Sequence, residues 1–350
     1  MAKRGLTLVT AKGVLASRQS GWALCVGAGT SYGIFPSWEE LARGLIGTGP
    51  GPANRDAVAD ELLRRSSLES VIQAAKDHLK LDDVQFQDTL ANALYQNLRN
   101  AVTDWPAFSG ALDAKSPGEI PAPDWTNFLN TIRTAFPQSS ALQIASTIVE
   151  AHGQGRSPEA ILTFNAEPLL GSLVNALSAS HGDMRQLLDR QVGALSLRQP
   201  GRIPYYFCHG LLPVPGVRAR RGRSSVDKLV FSESQYLQLG NAAYSWQSAA
   251  FYNVCAKAST VFVGLSLADP NIRRWLSWMH TGRLAELSTP TSGGASTEDS
   301  ATHYWLKCKT SDPFVDRWIE SSVAHLGVRL VWLNDWSQVG SALASMLELR

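Results

Sequence analysis

The 350-residue chain alternates short apolar runs with longer stretches of helical periodicity. Trp22 to Val26 is an apolar run of strand length with the character of a buried parallel strand. It breaks into Gly27, Ala28 and Gly29, with Gly33, Pro36 and Trp38 close behind. Ser37 with Glu40 makes a capping-box pattern, and Trp38, Leu41, Leu45 and Ile46 form an apolar stripe. A helix is therefore predicted over about 38–46, ended by the Gly/Pro run at 47–52. Before the strand, residues 6–20 mix apolar and basic positions at roughly helical spacing and predict a short N-terminal helix.

From 53 to 156 no strand pattern stands out. Leu62, Leu63, Leu68, Val71, Ile72 and Leu79 suggest two helices. Phe86, Leu90, Leu94, Tyr95 and Leu98 suggest another, and 128–136 and 141–151 two more. The proline-rich stretch 104–125 reads as an irregular connection. Strand character returns at Ala160 and again in 202–210, 228–236, 260–272, 302–307 and 328–333. The apolar stretch from Pro168, then 240–258, the residues after Asp269 and 335–349 predict helices between and after them. Residues 218–225 and 286–300 read as loops, the first basic. Alternating strands and helices predict an α/β fold built on a doubly wound parallel sheet. The expected division is 1–52 and 157–350 as the α/β domain, with 53–156 as an all-helical insertion.

Composition adds bounds. The chain is 44% hydrophobic and 18% charged with a net charge of +2, as expected of a globular protein and too weak a bias to indicate nucleic-acid or membrane binding. The four cysteines, Cys25, Cys208, Cys255 and Cys308, are far apart, which indicates neither a zinc knuckle nor a disulfide framework. No signal peptide or membrane span is apparent, so a cytoplasmic protein is the expectation. The run Arg218, Arg220, Arg221 and Arg223 reads as a solvated loop rather than a phosphate grip.

In open α/β sheets ligands bind outside the carboxyl ends of the strands. Polar residues gather at those predicted ends: Ser31, Asn165, Glu167, His209, Glu233, Ser266 and Asp269. A strand that ends in glycines and leads into a helix lets backbone N–H groups approach a phosphate. An Asn amide can position a water or hydroxyl, and a His can take a proton near neutral pH. Each residue also has a plainer reading: Asn165 as a turn residue, His209 as a buried core histidine, Asp269 as a helix cap, Glu233 and Tyr236 as pocket wall.

Four motifs in order, G-A-G-T-S-Y-G-I-F-P at 27–36, T-F-N-A-E at 163–167, H-G at 209–210 and G-L-S-L-A-D-P-N-I at 264–272, resemble the NAD-binding fold of the sirtuins. More narrowly, the chain resembles the bacterial sirtuin-like proteins of antiphage defence. The resemblance implies a Rossmann-like fold. Gly27, Ala28, Gly29 and Ser31 would lie against the NAD+ pyrophosphate and ribose, and Asn165 at the nicotinamide ribose. His209 would be a general base, and Gly264 and Ser266 would lie at the adenosine half. Glu167, Asp269 and Asn334 join the expected cofactor-binding set, Asn334 because it follows the last strand near the adenine position.

The departures from the deacylating sirtuins matter as much. Their four-cysteine zinc module is replaced here by a stretch, 211–228, without cysteine, so no metal is expected. Glu167 stands where they carry Asp. Pro36, Ser37, Trp38 and Glu39 stand where they carry Pro-Asp-Phe-Arg. The resulting expectation is hydrolysis of NAD+ to nicotinamide and ADP-ribose by a toxic effector of antiphage abortive infection. Its partner would be a separate chain, a hexameric translocase-type ATPase or a short Argonaute with its guide, and it would assemble as a homo-oligomer. A protein deacylase and a non-catalytic NAD sensor that oligomerises are the alternatives.

Overall fold

The computed structural model describes residues 5–18, 20–47, 55–194, 199–217, 229–242, 245–287 and 302–350. Seven parallel strands form one sheet: β1 (Trp22–Val26), β2 (Ile161–Thr163), β3 (Leu188–Gln191), β4 (Ile203–Phe207), β5 (Ser259–Val263), β6 (His303–Cys308) and β7 (Val328–Leu333). Their order is β3-β4-β2-β1-β5-β6-β7. The chain winds outward from β1 in one direction, then crosses from β4 to β5 and winds outward in the other. The topological switch therefore falls between β1 and β5, where such sheets open a crevice.

The central strands β1, β2 and β5 are largely apolar because both faces are covered. Side chains alternate across a strand. Trp22, Leu24 and Val26 of β1 join one buried cluster, while Ala23 and Cys25 join the other. Likewise Val261 and Val263 of β5 face one layer and Phe262 the opposite one.

Eight helices come before β3: α1 (Trp38–Gly47), α2 (Arg55–Arg65), α3 (Leu68–His78), α4 (Asp83–Ala101), α5 (Trp105–Asp113), α6 (Ala122–Ala135), α7 (Ser140–Gly153) and α8 (Leu169–Ser180). After β4 come α9 (Glu233–Asn241), α10 (Trp246–Lys257), α11 (Pro270–Leu287), α12 (Pro313–Ala324) and α13 (Val339–Leu347). Side chains of α1, α3–α8 and α13 share one buried cluster with the first sheet face, and α10–α12 cover the second. Among the described residues no helix is long and apolar enough to cross a membrane.

Several expectations are corrected. In place of the expected helix over 6–20, residues 8–17 form turns. Gly13 has φ +70°, and the N–H groups of Gly13 and Leu15 donate to carbonyls of α13 at 3.0 Å. Ahead of them Leu6 pairs with Val331, which covers the exposed edge of β7. The stretch 104–125 is not irregular: Pro106, Pro117 and Pro123 lie in the first turns of α5, a 3₁₀ turn and α6, where proline is tolerated. Residues 228–236 add no strand. Ser232 and Gln235 form a capping box that opens α9 instead. Edge strand β3 and helix α12 are additions. The helical stretch 240–258 starts only at Trp246, and α11 runs on to Leu287. The basic loop 218–225 and residues 288–300 lie outside the described residues.

At the switch the two loops close on one another. Gly27 N–H donates to Val263 O at 3.0 Å and Gly29 N–H to Gly264 O at 2.9 Å. Gly264 has φ +68°, and a Cβ there would sit 2.4 Å from Thr30 N. A Cβ on Gly29 would fall 2.9 Å from Gly264 Cα. The glycines are thus required first by loop-on-loop packing. Gly264→Ala is expected to cost roughly 3 kcal/mol or more in urea unfolding, because strain and overlap add. Gly33→Ala also places a side chain at positive φ (+82°) but meets nothing within 4 Å, so about 1–2 kcal/mol is expected. Equal losses would mean that the loop contact is not the constraint.

Candidate active site

The turn after β1 winds into a 3₁₀ helix, Ala28–Ser31. It carries Thr30 and Ser31 toward the end of β2. There the backbone N–H of Asn165 donates to Thr163 Oγ1 at 3.0 Å, which tucks the chain inward. The Asn165 side-chain amide is buried. Its Nδ2 donates to Thr30 Oγ1 (3.3 Å), Ser31 Oγ (3.2 Å) and Glu167 Oε1 (3.1 Å). Its Oδ1 is buried and has no hydrogen-bond partner among the described residues.

Glu167, 4% exposed, is tied down on both oxygens. Oε1 accepts from Ser31 Oγ at 3.0 Å and Oε2 from Leu169 N–H at 2.6 Å, the first residue of α8. Burial pushes its carboxyl up to about 7, against the opposing pull of these donors.

His209 follows β4 and is 3% exposed. Its ring stands edge-on to Phe164 (4.9 Å between centroids), Tyr236 (5.3 Å) and Trp38 (6.3 Å). Neither ring nitrogen has a hydrogen-bond partner among the described residues. Burial lowers the imidazole to about 4, and the Asp269 carboxylate opposes that shift. His209 is therefore neutral at pH 7.

Two cavities meet here. An open cleft of about 510 Å³ is lined by Gly27, Gly29, His209, Gly264, Ser266 and Asp269, among others. A much smaller one of about 30 Å³ is lined by Ser31, Asn165 and Glu167 within an apolar wall that includes Phe35, Leu94 and Phe231. Ala28, Trp38 and Phe164 border both. Successive residues Phe164 and Asn165 thus serve the two sides, with His209 beyond the Phe164 ring. Glu69 and Asp269 line the large cleft, and among the described residues no Lys or Arg does.

The fold thus gathers Gly27, Ala28, Gly29, Ser31, Asn165, Glu167, His209, Gly264, Ser266 and Asp269 from 240 positions of sequence. Ser266 is exposed on the rim, its Oγ accepting from Ala268 N–H at 3.2 Å. Asp269 caps α11: Oδ1 accepts from Asn271 N–H (2.7 Å) and Ile272 N–H (3.1 Å). Asn334 stands apart, exposed at the end of edge strand β7, three strands from β1. Glu233 is exposed and accepts from Ser70 Oγ at 2.7 Å, a contact between α9 and α3. The sequence reading did not find Thr30, Phe164 or Glu69. Thr30 and Phe164 lie inside the quoted motifs, whereas Glu69 arrives from α3 with no motif around it. Among the described residues no three His, Cys, Asp or Glu side chains gather as a metal site.

His209 gives a pH signature. An unfolded His takes up its proton near 6.5 and the folded one near 4. Acidification through that window protonates only the unfolded chain, so folded stability falls by on the order of 3 kcal/mol as pH drops from 6.5 to 4. The variant His209→Gln lacks this loss. Urea unfolding of both proteins at several pH values is expected to show their difference narrowing in favour of the variant on acidification. A pH-independent difference would contradict a buried neutral imidazole.

No curated protein matches the chain. Residues 126–292 match the family model described as a SIR2-like domain. The matched span runs from within α6 through α11 and holds Asn165, Glu167, His209, Gly264, Ser266 and Asp269, but not the glycine turn after β1. With the seven-stranded parallel sheet and the site at its switch point, this match supports a sirtuin-like family and an activity that uses NAD+.

Proposed function

We propose that the chain is an NAD+ glycohydrolase, cleaving NAD+ with water into nicotinamide and ADP-ribose. One observation carries the reading. A buried Asn165 Oδ1 and both nitrogens of a buried His209 lie unpartnered on either side of Phe164 at the switch point. Buried polar atoms are nearly always satisfied, and a ligand rich in hydroxyl groups would satisfy these.

In the reaction the bond between ribose C1′ and the pyridinium nitrogen breaks, and its electron pair leaves with neutral nicotinamide. A water oxygen forms the new bond to C1′ and loses its proton. The transition state spreads positive charge over the ribose, which the Asn165 Oδ1 dipole favours. His209, in its neutral form, is the proton acceptor. Neither step calls for a metal. The absence of any cysteine from 211 to 228, and Glu167, Ser37 and Trp38 in place of the deacylase residues, weigh against peptide deacylation.

The resemblance to sirtuin-like defence proteins supports a toxic effector whose activity is held off until infection. On that reading its trigger is a separate partner chain, a translocase-type ATPase or a guide-loaded short Argonaute, or its own assembly into an oligomer.

The test is nicotinamide release from NAD+ by the purified protein, alone and with the product of its genomic neighbour. Release without any acylated peptide is expected, with Asn165→Ala and His209→Ala each lowering it about 10²-fold or more. Full activity in both variants would overturn the site. Release only with an acylated peptide would favour the deacylase, and binding without cleavage the sensor.

A further inference from the structure

We propose that Glu167 is a positioning residue: it fixes which way round the Asn165 amide is held and acts on the ligand only through Asn165. The inference deepens the NAD+ reading and rests on it for its kinetic consequence, but its structural content stands apart from any ligand.

The hydrogens of the network can be followed one by one. The Thr30 hydroxyl gives its hydrogen to Gly27 O at 2.8 Å. The Ser31 hydroxyl gives its hydrogen to Glu167 Oε1 at 3.0 Å. Both hydroxyl oxygens therefore offer only lone pairs to Asn165, and the ionised Glu167 Oε1 offers another. Three acceptors surround one end of the amide, so that end must be the NH₂ group. The opposite orientation would set Oδ1 against three acceptors. The unpartnered Oδ1 is thus a consequence of the network.

Protonation of Glu167 undoes this arrangement. Oε2 already accepts from Leu169 N–H at 2.6 Å, and a hydrogen there would face a donor. The proton must go to Oε1, the oxygen that Ser31 and Asn165 both donate to. One of those donors then loses its acceptor, and the amide is held more weakly, by the Thr30 and Ser31 hydroxyls. Few other charges face this carboxyl. The 3₁₀ turn and α8 contribute no ionisable side chain. From β4 comes Tyr205, whose buried phenol is pushed up by burial first and by the Glu167 charge second. Beyond Tyr205, Arg190 of β3 is engaged with the carbonyls of Asp113 and Ala114. The neutral His209 lies across Phe164, and Asp269 beyond it acts on His209. The carboxyl titrates near 7 through its own burial, so the grip on Asn165 tightens as pH rises through that value.

The experiment uses the full chain labelled with ¹⁵N at asparagine. The Asn165 side-chain amide signal, identified by its loss in Asn165→Ala, is followed from about pH 5.5 to about 8.5, a range that brackets the carboxyl. The expected result is a shift with its midpoint near 7, absent in Glu167→Gln and restored by Glu167→Asp. A signal that does not titrate, or that titrates alike in the wild type and Glu167→Gln, overturns the proposal. Should Glu167→Gln fail to fold, the wild-type titration and Glu167→Asp decide.

Kinetics then separate this inference from the function it rests on. If NAD+ is cleaved, wild-type kcat is expected to rise through pH 7. In Glu167→Gln it is expected to fall about 10²-fold, with KM little changed and the pH dependence gone. Cleavage at the wild-type rate by Glu167→Gln overturns the positioning role alone. A wild type that neither binds nor cleaves NAD+ overturns the function, and the amide titration still decides the role of Glu167.

Discussion

The close approach of Gly264 to Thr30 is the constraint on which the rest of the site depends. It joins the loop after β1 to the loop after β5 across the point where the sheet changes direction. Without a Cβ at Gly264 the backbones meet, and Gly29 N–H and Gly264 O form a hydrogen bond. That contact sets the height and angle of the 3₁₀ turn. The turn in turn delivers the Thr30 and Ser31 hydroxyls to Asn165. A site of this kind is built on rigid backbone, and the precision of its polar atoms follows from that rigidity.

The electrostatics divide the site in two. On the Asn165 side a carboxyl is held in an apolar pocket whose burial outweighs the pull of its donors. On the His209 side an imidazole is kept neutral within an aromatic box. The lining of the two cavities offers the carboxylates of Glu167, Glu69 and Asp269, the Asn165 amide and, among the described residues, no cation. Such a set suits an oxocarbenium-like transition state better than an oxyanion. The same charge balance leaves a diphosphate to backbone donors and solvent. The α11 N–H groups nearest the cleft are already taken by Asp269.

Much of this was legible in the sequence because parallel strands covered on both faces are continuously apolar. β1, β2, β4, β5, β6 and β7 all announced themselves that way. Edge strand β3 did not: Leu188, Asp189, Arg190 and Gln191 carry three polar side chains, and Asp189 is satisfied by Gln199 N–H from ten residues on. Proline misled at 104–125, since a proline that starts a helix reads like one that stops it. The motif residues at strand ends were legible because topology alone brings them to one rim. What they bond to was not. The Asx cap at Asp269, the Glu233–Ser70 contact between helices and the arrival of Glu69 from α3 depend on packing between distant segments. Asn334 was placed by its rank after the last strand, yet strand order carries it to the far edge of the sheet.

The central claim is that Asn165 Oδ1 and His209 face one ligand, NAD+, from two sides of Phe164. A crystal structure of the full chain with carba-NAD, in which a methylene replaces the ring oxygen of the nicotinamide ribose and prevents cleavage, tests this most directly. The expected result is a hydroxyl of that carbocycle within about 3 Å of Asn165 Oδ1, with His209 against the same ring. An analogue seated elsewhere, or a cleft in which Asn165 Oδ1 stays unpartnered beside the bound analogue, would contradict the account.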